Sequence, residues 1–328
     1  MKKPIQSCLS MTIRKYIEMK QGLGRQFAEE RRVLEKLNEF MLAIAATDLT
    51  QTEFESWCKT QMHLCSTVRR NRMRIVRNLC LYRTRGVPNC FVPDQLLFPA
   101  LSQAVRPHIY SEAEIVRLLE AAAHLSTGSR CPLRPQVFRL AIVLLYTAGL
   151  RRGELVRLTL NDYNPQERTL HIRESKFHKT RYVPLSADAS QELESYLAVR
   201  RKLKLPMLTN TALLWNLYRG GRAYSAGGLW RGIGKLLNAA NVRKADGSLP
   251  RIHDFRHAFA LQALLRWYRN GIDINAKLPL LATYMGHVSI VSTEYYLSFI
   301  PELAAEASKL FCTRYGALVE PLNERGAS

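Results

Sequence analysis

Apolar residues recur at helical spacing through the N-terminal third of the chain. Ile13, Tyr16 and Ile17 lead through Lys20 into Phe27, Leu34, Leu37, Phe40 and Met41, and Gly22 and Gly24 interrupt the pattern between the two runs. Thr50-Gln51-Thr52-Glu53 has the outline of a capping box, in which hydroxyl and carboxylate satisfy each other's backbone donors, and it opens a run carrying Phe54 and Trp57. A further helix is predicted from Ser66 to about Arg85, with Ile75, Val76 and Leu79 on its apolar face. Periodicity then lapses where Pro88, Pro93, Pro99 and Pro107 cluster. The pattern predicts a helical domain over residues 1–87, a linker over 88–108 and a second domain over 109–328.

Ser111-Glu112-Ala113-Glu114 repeats the capping-box outline ahead of Ile115, Leu118 and Leu119, and opens that second domain. Most of the second domain keeps a helical period. The exception is Thr169-Leu170-His171-Ile172-Arg173, which alternates, and Tyr182-Val183-Pro184-Leu185 can pair with it across Phe177-His178-Lys179. That hairpin would hold Lys176 near its tip. Tyr218-Arg219-Gly220-Gly221-Arg222 is a basic, glycine-rich turn ahead of a helix over 225–241, where backbone can approach a phosphate. Past Pro301, an amphipathic stretch of Leu303, Ala304, Ala307, Leu310 and Phe311 precedes a polar end. The fold class expected is mainly α, a helical N-terminal domain plus a mostly α second domain with one small β hairpin.

Charge narrows the partner. A formal net charge of +21 and a pI near 10.0 imply a polyanion, with nucleic acid favoured over an anionic membrane surface. No stretch approaches the roughly 18 to 20 apolar residues of a transmembrane helix, and the start lacks the apolar core of a signal peptide, so no membrane association and a cytoplasmic location are expected. Seven cysteines form no C-x-x-C pair and are odd in number, against both a zinc ribbon and a disulfide framework. Between Arg69 and Arg85 stand Arg69, Arg70, Arg72, Arg74, Arg77, Arg83 and Arg85 with no acid among them. Such a run repels itself unless an anion is present. Arg69, Arg70, Arg74 and Arg77 are therefore candidate DNA contacts, with Arg222 in the second domain.

Candidate chemistry lies in the C-terminal half. Ala148-Gly149-Leu150-Arg151-Arg152-Gly153-Glu154-Leu155 sets an arginine at a tight interhelical turn, and Glu154 reads as a structural partner for arginine or backbone. His253-Asp254-Phe255-Arg256-His257 puts a histidine and an arginine one helical turn apart. Met285-Gly286-His287 is followed by Tyr296, nine residues after the histidine. Two arginines suit the two non-bridging oxygens of a phosphodiester, and phenoxide leaves more readily than an alkoxide, so a tyrosine that cuts can also rejoin. His253 and His257 at i, i+4 could instead hold a metal, but no H-E-x-x-H pattern accompanies them, and no metal is assigned.

With Glu174-Ser175-Lys176-Phe177-His178-Lys179-Thr180-Arg181-Tyr182-Val183-Pro184-Leu185, these strings resemble, in order and spacing, the motifs of the tyrosine recombinases, the family of the phage integrases and Xer recombinases. The resemblance implies Arg151, Lys176, His253, Arg256 and His287 as catalytic residues and Tyr296 as nucleophile. Lys179 is the alternative to Lys176, and Tyr295 to Tyr296. It further implies no cofactor, a helical core-binding domain and a catalytic domain forming a C-shaped clamp on DNA, and double-stranded DNA with a short inverted-repeat core site as partner. One dimer per site and a tetramer in the synapse are expected, through an oligomerisation tail at the C-terminus. A regulator of the same fold without chemistry, or a nicking-closing enzyme like the type IB topoisomerases, is the alternative function.

Overall fold

The structure, a computed structural model, describes residues 7–101, 107–173 and 180–286. Lys176, Lys179, His287, Tyr295, Tyr296 and the amphipathic tail lie outside the described residues. The chain divides into two compact units, Met1–Val105 and Arg106–Ser328.

Among the described residues of the first unit, four α-helices form its body: α1 (Ser10–Gly22), α2 (Ala28–Ala43), α3 (Gln51–Lys59) and α4 (Ser66–Arg83). Each buries the stripe its periodicity marks. Ile13, Tyr16 and Ile17 meet Leu34, Leu37 and Met41, and Val76 and Leu79 close the core from α4. Thr50 caps α3 as a full capping box with Glu53. The proline-rich stretch also joins this core: Phe98 is buried in it, Phe91 and Val92 pack against it, and Arg70 and Arg77 donate to the Pro99 and Pro93 carbonyls at 2.9 and 2.6 Å. Prolines suppress helical periodicity, so sequence pattern alone has no means of showing that this segment packs.

The second unit is built around α6 (Arg134–Thr147), which is apolar nearly all round and packs against α5 (Glu112–Ala123), α8 (Ala187–Lys202), α9 (Ala226–Ala239) and α10 (Ile252–Arg269). The short α7 (Arg152–Arg157) follows α6 after the Gly149 turn, and α11 (Ile274–Met285) follows α10. Leu278, Leu281 and Met285 of α11 pack on Leu261 and Leu264 in a satellite cluster. The three-stranded antiparallel sheet runs in the order β1 (Tyr163–Asn164), β2 (Thr169–Ile172), β3 (Arg181–Pro184), with Leu170 opposite Val183 and Ile172 opposite Arg181. Leu170, Ile172 and Val183 face the core, as the alternation predicts. A second ribbon, β4 (Trp215–Asn216) with β5 (Arg222–Ala223), brackets the glycine-rich turn.

One core residue inverts its sequence appearance. Arg200, in the basic end of α8 beside Arg201 and Lys202, is fully buried. Its guanidinium donates to the carbonyls of Pro206 at 2.9 Å, Ala212 at 2.9 Å and Leu213 at 3.1 Å, and lies 5.6 Å from the Trp215 ring centre. It thereby satisfies carbonyls of a loop that also pairs through its backbone with residues 158–161. Arg200→Met should lower stability by about 3 kcal/mol, because the carbonyls lose a charged donor and stay buried. Arg201→Met, on the exposed face, should change it by under about 0.5 kcal/mol. Urea midpoints of the two variants check this, and equal midpoints would refute the role given to Arg200.

Candidate active site

The site is assembled on the carboxyl end of α11. Helices leave their last carbonyls without intrahelical donors, and those carbonyls carry the negative end of the helix dipole. Here three successive carbonyls are taken by three arginines from three different elements. Arg181 Nε on β3 donates to the Tyr284 oxygen at 2.7 Å, Arg256 Nη2 on α10 donates to the Met285 oxygen, and Arg151 Nη2 donates to the Gly286 oxygen at 2.7 Å. Gly286 ends the helix in the left-handed region, at φ 65°, and a Cβ there would come within 2.9 Å of Arg181 Nη1 and 3.3 Å of Arg151 Nη1. Glycine is thus required twice over, for its backbone and for the space the guanidinium groups occupy.

Buried carboxylates pair with two of these arginines, Arg151 and Arg181, and with a further one, Arg251. Glu154, on the first turn of α7, accepts the Arg151 backbone N–H at 3.0 Å and Arg151 Nη1 at 2.7 Å, and receives Arg181 Nη1 and Nη2 at 3.0 and 2.9 Å. Its side chain is 1% exposed. Burial alone would push this carboxyl up, but the Arg181 hydrogen bonds and charge and the Arg151 donors outweigh it and hold the group down at about 2. Asp254, fully buried, does the same for Arg251, accepting its backbone N–H at 2.8 Å and its Nη2 at 2.9 Å. Gly149 completes the frame. At φ 58° its carbonyl accepts Arg256 Nη1 at 2.6 Å, and an added Cβ would collide with the Phe259 ring at 2.5 Å.

Of the predicted catalytic residues, Arg151, His253 and Arg256 lie among the described residues. Arg151 and Arg256 converge on adjacent carbonyls. His253 opens with Arg151 onto a cleft of about 460 Å³, also lined by Arg152, Gly153, Trp230 and Arg251. The partial desolvation of its ring, together with the Arg256 and Arg251 charges, pushes His253 down to about 4. His257 packs edge-on against it, with ring centres 4.8 Å apart, and burial and the neighbouring His253 push it down to about 4 as well. Among the described residues no three His, Cys, Asp or Glu gather as a metal group. The cleft is cationic and open to solvent, and the Arg151 guanidinium, fixed by the Gly286 carbonyl, with the neutral His253 imidazole on the same cleft suits an oxyanion.

Sequence reasoning left out Arg181, Arg251 and Trp230. Arg181 stands in the string that carries Lys176 and Arg251 two residues before His253, so each had a positional signal. Trp230 had none, being one apolar residue on an amphipathic helix. The basic α4 is also more occupied than its sequence suggests. Arg70 and Arg77 bond to carbonyls, Arg72 to Gln61, and Arg83 to Asp48 at 2.6 Å. Arg69 Nη1 lies 2.8 Å from Met62 Sδ. Arg74 and Arg85 are exposed, and with Lys20, Arg25, Tyr16 and Tyr82 they line a cleft of about 400 Å³ that Glu30 also borders. Arg222 stands 4.9 Å over the Tyr218 ring.

The phage integrase family profile matches residues 110–300. "Putative integrase/recombinase y4rB" of Sinorhizobium fredii is 33% identical over 305 residues, covering 92% of this chain and 96% of the relative. Tyrosine recombinase XerD of Staphylococcus epidermidis is 31% identical over 183 residues, 56% of this chain and 57% of its own. In fold, the chain matches the Tn1549 transposon integrase solved in complex with transposon right-end DNA, at TM-score 0.62 and 17% identity, over 94% of this chain and 99% of that one.

The histidine pair makes stability depend on pH in a definite sense. Folding holds both imidazoles near 4 against an ordinary 6.5, so below about pH 6.5 the unfolded chain binds protons that the folded chain refuses. Stability contributed by the neutral pair is complete above pH 6.5 and is lost progressively down to pH 4. The His253→Gln, His257→Gln double variant should therefore lose less of its urea midpoint between pH 7 and pH 4.5 than the parent. Parallel losses in the two proteins would show that the pair is not held neutral by the fold.

Proposed function

Because this chain belongs to the phage integrase family of site-specific DNA recombinases, we propose that it cuts and rejoins duplex DNA through a 3′-phosphotyrosine on Tyr296. The observation that carries this reading is the convergence of Arg151 and Arg256 on the Met285 and Gly286 carbonyls, immediately before His287 in the chain. Guanidinium planes fixed by carbonyls before a ligand arrives cost no reorganisation when the phosphate enters, and they meet the charge that develops on its non-bridging oxygens.

Tyr296 attacks the scissile phosphorus, and the bond from phosphorus to the 5′ oxygen breaks. Its phenolic proton passes to His253, which is neutral at pH 7 and so able to accept it. Arg151 and Arg256 hold the non-bridging oxygens, His287 donates a further hydrogen bond, and Lys176 protonates the departing 5′ oxygen. The released 5′ hydroxyl of a partner duplex attacks the phosphotyrosine, forming a four-way junction that a second round resolves. The bond energy is kept in the protein link. A dimer on each inverted-repeat core site and a tetramer of two sites provide the four tyrosines this sequence of exchanges uses. In the first unit, Arg74 and Arg85 beside Tyr16 and Tyr82 form the surface best suited to phosphates, with Arg69, Arg70 and Arg77 adding positive charge while tied to their own unit. Arg222 serves the second unit.

Tyr296→Phe should abolish covalent capture of a nicked suicide duplex and leave binding intact, since only the phenolic oxygen is removed. An adduct that survives in Tyr296→Phe and disappears in Tyr295→Phe would move the nucleophile by one residue. Denaturing gels of the cross-linked species read both outcomes.

The charged face of the first unit is tested by salt. Replacing Arg74 and Arg85 with Gln should flatten the slope of log affinity against log salt by roughly 0.9 for each phosphate that the variant no longer neutralises. Arg77→Gln should instead lower stability by about 1–2 kcal/mol, because the Pro93 carbonyl loses its donor. An unchanged slope in the double variant, with its helicity intact by circular dichroism, would leave binding to the second unit.

A further inference from the structure

We propose that Arg181 is a positioning residue of the recombination site, holding β3, the strand that follows Lys176 in the chain, against the frame that carries Arg151 and the end of α11. The inference rests on the reading of Lys176 or Lys179 as the general acid.

Arg181 begins β3, paired with Ile172 of β2. From there its side chain leaves the sheet and reaches two other elements. Nη1 and Nη2 form a two-point contact with Glu154 of α7 at 3.0 and 2.9 Å, and Nε reaches the Tyr284 carbonyl of α11 at 2.7 Å. The planar fork of an arginine is matched to a carboxylate in this way, and a lysine makes only one such contact. The side chain is 8% exposed and its Glu154 partner 1% exposed, so the pair is nearly withdrawn from solvent. Tyr284 adds a parallel tie, its hydroxyl donating to the Pro184 carbonyl at the other end of β3 at 3.3 Å.

Arg151 has anchors that do not pass through Arg181, namely the Glu154 contacts and the Gly286 carbonyl. β3 is different, because among the described residues its side-chain hydrogen bonds to α7 and α11 are those of Arg181 itself and the weaker Tyr284 hydroxyl. Loss of Arg181 should therefore displace the hairpin more than the phosphate-binding arginines. A proton donor displaced by about 1 Å costs roughly 100-fold in rate, and the proton transfer it serves contributes about 100- to 10,000-fold.

The test is single-turnover cleavage by the full chain on a nicked duplex whose core sequence the wild-type protein selects from a random pool. The duplex is made with either oxygen or sulfur bridging phosphorus and the 5′ carbon, and a sulfur leaves without needing a proton. Arg181→Met should bind the duplex with wild-type affinity, cleave the oxygen substrate roughly 100-fold more slowly, and recover most of that loss on the sulfur substrate. Arg181→Lys, which keeps the charge, should show a smaller defect with the same recovery, and it stands in if the methionine variant does not fold. Equal loss on both substrates, or no loss on either, overturns the inference. Lys176→Ala and Lys179→Ala run alongside. If one of them is rescued by sulfur and Arg181→Met is not, the general-acid reading survives and the positioning role falls. If neither lysine variant is rescued, both fall together, and the lysine variants identify the cause.

Discussion

The carboxyl end of α11 is the point on which the described part of the site depends. A helix terminus needs donors for its last carbonyls, and the ordinary solutions are a glycine cap and water. Here the glycine cap is kept and the remaining acceptors are given to arginines from β3, α10 and the start of α7. One structural requirement thus brings together residues separated by more than a hundred positions in the chain. The same contacts orient Arg151 and Arg256, so completing the helix end and fixing these two guanidinium groups are one physical event.

Cations gathered this closely repel one another, and the structure shows how the repulsion is met. Glu154 lies between Arg151 and Arg181 and is held ionised near 2 despite its burial, so one negative charge offsets part of the cluster's positive charge from within and the cluster stays net cationic. Asp254 and Arg251 repeat the arrangement at the start of α10. The pairing of an N-terminal arginine with an acid three residues on recurs in Arg151 with Glu154 and in Arg251 with Asp254, and in each the carboxylate also accepts the arginine's own backbone N–H. Two helix starts are thereby aimed at one cleft, with the acids buried and the guanidinium groups nearer solvent.

Elsewhere the same residue type does other work. Arg200 is wholly internal and holds a loop through its carbonyls, and Arg70 and Arg77 tie the proline-rich stretch to α4. A net charge of +21 is therefore not a measure of the surface offered to a polyanion, since part of it is structural. Arg74 and Arg85 in one unit, and Arg151, Arg152 and Arg251 in the other, are cations that line clefts.

The sequence by itself determined the helical stripes, the capping boxes at Thr50 and Ser111, the pairing of β2 with β3, and the short strings that carry Arg151, His253 and Arg256. These are local signals: a period, a cap or a string of a few residues is complete within the window in which it is read. Glu154 was legible as a partner for arginine, but which arginines it serves was not. Only the tertiary structure decided that Arg181 joins it, that Arg200 is buried while Arg201 is not, and that Phe98 belongs to the first core. Each of these depends on where a distant backbone carbonyl or apolar surface lies, and carbonyls have no residue identity for a sequence to display. A long cationic side chain carries the same letters whether it ends in water, on a phosphate or on the end of a helix, so the fold alone assigns its partner.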